Sequence, residues 1–167
     1  ESRLVGNILY VVSRRWWQES TVDEESGVEH LRSVSGLAVS KIDMADPENV
    51  VVADPLELRD GKYNYWGGIV QATSRALMIA TSAYDHITRT TLSTVHVVDI
   101  SDPEVDPILT HEFPSKGHVR NKFNLNLKDD ILTVVSQVWR DENRQRYASV
   151  ETFDISEPSE EPVEALA

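Results

Sequence analysis

Cysteine is absent from the 167 residues, which excludes disulfides, thiolate catalysis and Cys-ligated zinc together. Basic residues are scarce. Sixteen Lys and Arg against 28 Asp and Glu leave a net charge of −12 and a pI near 4.7, so no nucleic-acid partner is expected, since a phosphate backbone needs a concentrated basic face. No apolar run approaches the roughly 18 residues of a membrane span, and ESRLVGNILYVV lacks the basic-then-apolar order of an export signal. The first residue is Glu rather than Met, which points to a start made by processing or excision, with any targeting peptide already removed. There is no G-x-S-x-G elbow, P-loop or dinucleotide fingerprint, and no stretch sustains a 3.6-residue apolar period. What remains, 40% hydrophobic with seven Gly and seven Pro, suits one soluble domain over residues 1–167.

The chain repeats itself. With Leu77 set against Leu132, two segments align without a gap over about 45 residues: ALMIATSAY on ILTVVSQVW, and STVHVVDISDP on ASVETFDISEP. An earlier copy, ILYVVSRRW followed by LAVSKIDMADP, places Leu9 in the same column and carries about 12 extra residues between its halves. Trp16, Tyr84 and Trp139 each stand seven residues after the leucine, and Asp43, Asp99 and Asp154 each stand four before a proline. The apolar runs are short, rich in Val, Ile, Thr and Leu, and bounded by turn dipeptides such as Asp60-Gly61 and Asp129-Asp130, so each reads as a strand. Each unit then holds four strands: an inner one (GGIVQAT, KFNLNLK), a second, a third, and a short fourth after the proline (PILTHEF).

Four antiparallel strands per unit of this length is the pattern of a β-propeller blade. In VHVVDI both faces are apolar, as expected for a sheet packed between two others; a β-sandwich, the other fold weighed, calls for cleaner alternation. The expected fold is all-β, an arc of about three blades at 1–58, 59–113 and 114–167. An arc leaves two blade faces bare, and if each exposes roughly 300 Å² of apolar surface the lost burial is on the order of 15 kcal/mol. Remaining blades of a longer chain, or a second copy, are therefore expected to close a ring of about six to eight blades.

SRLVGNILYVVS, VHVVDISDPEVDP and FNLNLKDDILTVVS, together spanning residues 2 to about 162, resemble the bacterial and archaeal secreted β-propeller domain proteins. The LVGN phrase is fairly specific; the Asp-Ile-Ser-x-Pro turn is shared more loosely. The resemblance implies a secreted or cell-envelope protein and supplies no catalytic residues. The chain is much shorter than the family's domain, which again implies an excised portion.

Single motifs have plain structural readings. The repeated Asp is expected to accept backbone N–H bonds in the turn after the third strand, with proline fixing the exit. The aromatic column is expected to pack against the neighbouring blade, a sugar-stacking role being the alternative. His96, aligned with Glu151 and Ser40, is read as solvent-facing or hydrogen-bonded. No pair among the five histidines has metal-site spacing, and TVDEESGVEH at 21–30 is read as a solvated loop because its acids are adjacent rather than alternating. Neither metal nor cofactor is predicted.

In a blade, the loop entering the inner strand and the loop between the second and third strands emerge on one face. Tyr63, Tyr65, Trp66, His118 and Arg120 are thereby expected to gather with Trp17, His86 and Arg140 at one rim, for a glycan, peptide or protein partner. Tyr65 and Trp66 have a structural alternative, plugging gaps between blades. The function expected is a non-enzymatic extracellular binding or scaffold propeller. The alternative is a polysaccharide- or peptide-processing hydrolase or lyase with carboxylates and His118 in its channel.

Overall fold

A computed structural model describes residues 1–23, 27–59, 68–85, 89–140 and 145–157. They form three antiparallel sheets in which strand order follows chain order. Sheet 1 comprises β1 (Ser2–Val5), β2 (Ile8–Val22), β3 (Glu29–Asp43), β4 (Val51–Val52) and β5 (Leu56–Arg59); β4 and β5 both pair with β3. They are two pieces of one fourth strand, interrupted at Pro55, whose nitrogen has no hydrogen to give to a ladder. Sheet 2 comprises β6 (Gly68–Ala72), β7 (Ala76–Asp85), β8 (Thr90–Asp99) and β9 (Ile108–Pro114). Sheet 3 comprises β10 (Leu125–Lys128), β11 (Ile131–Arg140) and β12 (Gln145–Asp154); a fourth strand, if present, falls outside the described residues.

The repeat found in the sequence is a repeat of register. Leu9 pairs with Ile42, Leu77 with Val98 and Leu132 with Phe153; one step along, Ile8 pairs with Asp43, Ala76 with Asp99 and Ile131 with Asp154. The three aspartates act as expected. Each Oδ1 accepts the N–H two residues on, from Ala45 at 2.8 Å, Ser101 at 2.8 Å and Ser156 at 3.0 Å. The residue after each aspartate donates its N–H back to the preceding hairpin, at Asn7, Arg75 and Asp130. The hydrogen bonds from Ser156, backbone first and side chain second, hold the Asp154 carboxyl below its ordinary range. Its contribution is therefore present above the usual carboxylate pKa and lost as pH falls through the lower folded value. Asp99→Ala is expected to cost about 1 kcal/mol, the worth of one hydrogen bond, read as a lower midpoint in urea; an unchanged midpoint would remove the turn from the account.

Two cores separate the three sheets. Tyr10, Val12, Leu37 and Val39 of sheet 1 pack with Val70, Leu77, Ile79 and Val98 of sheet 2. Met78, Val95, Val97 and Phe113 from the opposite face of sheet 2 pack with Leu125, Leu132, Val134 and Phe153 of sheet 3. Sheet 2 is therefore buried on both faces, which is why β7 and β8 are apolar at successive positions.

Two expectations are corrected and a third is narrowed. The extra residues of the first copy do not form a solvated loop alone: the β2–β3 ladder continues to the pair Val22–Glu29, so they lengthen the hairpin on both sides. The Ser20 hydroxyl bonds the Glu29 carboxylate across it, and Gly27 turns the chain in the left-handed region at φ +67°. The aromatic column is not packed away between sheets, since Trp16, Tyr84 and Trp139 are 64%, 41% and 38% exposed. Seven residues from the leucine carries each of them past the end of the core; Arg14 lies over the Trp16 ring at 4.8 Å and Arg146 over Trp139 at 5.2 Å. Of the two readings of His96 the hydrogen-bonded one holds: it is buried, with Nε2 3.4 Å from the Thr81 hydroxyl and Nδ1 3.0 Å from Glu112 Oε2. The second approach is off the ideal hydrogen-bond axis, yet this contact is the largest influence on Glu112 and holds its carboxyl below the ordinary range.

Candidate functional site

The linker from β9 to β10 builds the site. Its first part is tied to sheet 2: Ser115 N–H donates to Ser93 O at 2.8 Å, and Ser93 N–H to Gly117 O at 3.1 Å. Its next residue is tied to sheet 3, where His118 and Gln137 exchange two backbone hydrogen bonds of 2.9 Å each. This crossing from one sheet to the other is possible because residue 117 is glycine, as a Cβ there would lie 2.4 Å from Gln137 O. Beyond it the chain bulges through a short 3-10 turn, Lys122–Asn124, capped by the Asn121 side chain, before entering β10.

A polar relay anchors the imidazole. Ser93 Oγ accepts the Val119 N–H at 2.9 Å and lies 2.9 Å from Ser82 Oγ, which in turn lies 3.0 Å from His118 Nδ1. Every hydroxyl hydrogen finds an acceptor if Ser93 donates to Ser82 and Ser82 to His118. This network assigns Nδ1 as an acceptor and leaves Nε2 carrying the proton on the side away from the relay. Burial first, and the Arg120 charge second, lower the His118 pKa from its ordinary value.

Around His118 lies an open groove of about 350 Å³, bordered by Arg89 and Thr91 of the β7–β8 hairpin, Arg120 of the linker, and Gln137, Trp139 and Arg146 of sheet 3. A second hollow of about 280 Å³ shares His118, Arg120, Gln137 and Arg146 and reaches Asn121, Ser136 and Tyr147. Arg120 donates to Gln137 Oε1 at 3.0 Å, and no ion pair engages Arg89, Arg120 or Arg146 among the described residues. No carboxylate borders either hollow among the described residues. In a chain of net charge −12 this is a local concentration of the opposite sign. A hollow of about 190 Å³ between sheets 2 and 3 at the aspartate turns differs: Arg75 meets Asp130 at 2.6 Å, and Asp99 also borders it.

No family model, no curated protein and no solved structure matches the chain at a significant level. The site therefore rests on its own geometry.

Of the eight residues predicted for the rim, the structure brings His118 and Arg120 together in the groove. Trp17 borders neither hollow. Its indole N–H donates to Glu57 at 2.8 Å, and its ring lies where a Cβ on Gly36 would be, 2.9 Å away. Arg140 closes β11, its side chain lying outside the described residues, as do Tyr63, Tyr65, Trp66 and His86. Arg89, Gln137 and Arg146 were missed. The repeat could have found Arg146, because its register partner is Trp139, a column already singled out.

His118 makes stability depend on pH. Its folded pKa lies below 6.5, so on acidification the unfolded chain binds the proton first; stability falls as pH drops through about 6.5 and levels off below the folded value. Native protein is expected to lose more stability than His118→Gln between about pH 7.5 and 5.5. Equal losses by chemical denaturation would contradict a desolvated imidazole.

Proposed function

We propose that the protein is a binding module of β-propeller type, secreted or held at the cell envelope, whose three sheets are successive blades and whose ligand site is the groove around His118. The observation that carries the site is the convergence of three guanidinium groups, an imidazole N–H and an indole on a groove without a countercharge among the described residues. Aromatic surface beside a few fixed polar groups is what a recognition site requires. The 3.0 Å contact of Ser82 with His118 favours a hydrolase, but Ser82 is buried behind the imidazole and hydrogen-bonded to Ser93, away from any approaching substrate.

The blade reading is supported by equivalent faces. The row Ala72, Leu77, Val98 of sheet 2 is covered by sheet 1, and the row Leu127, Leu132, Phe153 of sheet 3 is covered by sheet 2. The matching row of sheet 1, Leu4, Leu9, Ile42 and Val52, leaves Leu4 64% and Val52 62% exposed. Such a face suits one more sheet of the same kind, from a further blade or a second copy, and the open side of sheet 3, with exposed Val150, suits the next. Concentration-dependent association is expected in sedimentation velocity and is expected to be abolished by Leu4→Lys with Val52→Lys; a strictly monomeric protein at high concentration contradicts open blade faces.

For the site, calorimetric titration against a panel of extracellular glycans and peptides is expected to yield binders whose affinity falls in the double variant Arg120→Gln, Arg146→Gln with its thermal midpoint retained. Binders that ignore these substitutions place recognition elsewhere, and turnover of any of them overturns the non-enzymatic reading.

A further inference from the structure

Resting on the reading of the groove as a ligand site, we infer that its ligand is an acidic polysaccharide, bound through the carboxylates of successive uronate units. The charge is the first argument. Guanidinium is always ionised and presents a planar fork that matches a carboxylate in two parallel hydrogen bonds. Three such forks, on Arg89, Arg120 and Arg146, border one groove, and no acidic side chain among the described residues offers them a partner. They come from three separate segments, the β7–β8 hairpin, the linker and β12. Together they suit a chain of repeated anions better than one small ion.

The second argument is the way the cations are held. Arg89 has a φ of +54°, the left-handed region that favours glycine, so an arginine is kept where glycine would be more comfortable. Arg146 is laid over the Trp139 ring and Arg120 is tied to Gln137, which limits the rotamer freedom each would lose on binding.

Shape and neutral partners separate glycan from peptide. The groove and its adjoining hollow form one open, extended surface. They carry hydroxyl and amide groups on Thr91, Gln137 and Asn121, and the Ser136 hydroxyl, buried with no partner among the described residues, borders the second hollow. Sugar hydroxyls answer such groups, and Trp139, 38% exposed, borders the groove beside them. Arginine clusters also recognise acidic peptides, so hexaglutamate is the decisive competitor.

The test uses the full 167-residue chain and three probes in calorimetry at low ionic strength: a galacturonate hexamer, the same hexamer methyl-esterified at every carboxylate, and hexaglutamate. The galacturonate hexamer is expected to bind, with at least a tenfold loss on methyl esterification and at least a tenfold loss in Arg120→Gln, Arg146→Gln. Added salt is expected to weaken it further. Arg89→Gly is expected to weaken it as well while leaving the thermal midpoint equal or higher, because it removes a guanidinium and relieves the backbone together. Equal binding of acid and ester, tighter binding of hexaglutamate, or no binding of the acid overturns the proposal. If the ester or hexaglutamate binds and the groove variants abolish it, the ligand site survives and only its class falls. Silence from all three counts against the groove as a ligand site.

Discussion

Phe153→Ala is expected to lower the free energy of unfolding by about 3–5 kcal/mol, the range for deleting a fully enclosed aromatic ring. Phe153 is buried and stacks on Phe113 with ring centroids 3.9 Å apart and 21° between planes. The two rings come from different sheets, β9 of sheet 2 and β12 of sheet 3, so the void would open in the layer that holds these sheets together. Collapse onto it is resisted because β11 and β12 are fixed by ten register pairs. A typical domain has only about 5–15 kcal/mol to lose, so the urea midpoint should move visibly. A double-mutant cycle with Phe113→Ala is expected to return a coupling of about 0.5–1.5 kcal/mol beyond area burial. A loss below about 1 kcal/mol for Phe153→Ala would mean that sheets 2 and 3 are not held by this layer.

Gly117→Ala is expected to cost about 2–3 kcal/mol and, on the proposed reading of the groove, to weaken binding of the galacturonate hexamer although no groove side chain changes. The added methyl would stand 2.4 Å from Gln137 O and 2.6 Å from Gln137 C, both backbone atoms of the strand at the centre of sheet 3. They cannot turn aside as a side chain would. Relief requires the linker to lift off β11, breaking the two 2.9 Å hydrogen bonds between His118 and Gln137. Each is worth about 0.5–1.5 kcal/mol, and His118 and Arg120 move with the backbone. Lys116→Ala, one residue away with an exposed side chain, is expected to stay within about 0.5 kcal/mol of the native protein. If Gly117→Ala is as stable as Lys116→Ala, the crossing of the linker is not a constraint.

Local chemistry was legible in the amino-acid order wherever it repeats. The leucine and aspartate columns announced their register because each obeys rules acting over a few residues: alternation along a strand, and a carboxylate that accepts the N–H two positions on. The doubly apolar VHVVDI stretch likewise announced a sheet covered on both faces. The aromatic column was misplaced because periodicity fixes which face of a strand a residue occupies, whereas the distance to which a neighbouring sheet extends over it depends on residues far away in the chain.

Most of the groove belongs to that second kind of information. Arg89, Arg120 and Arg146 lie in separate segments and form no motif. They meet because Gly117 lets the linker tie β8 to β11, a close approach set by Gln137, twenty residues onward. By itself the sequence determined three repeated antiparallel units and the turns that end them, since those follow from contacts between neighbours. Which faces were covered, where the aromatics stood and which cations converged was decided by the stacking of the sheets, because packing alone brings together residues that no local rule connects.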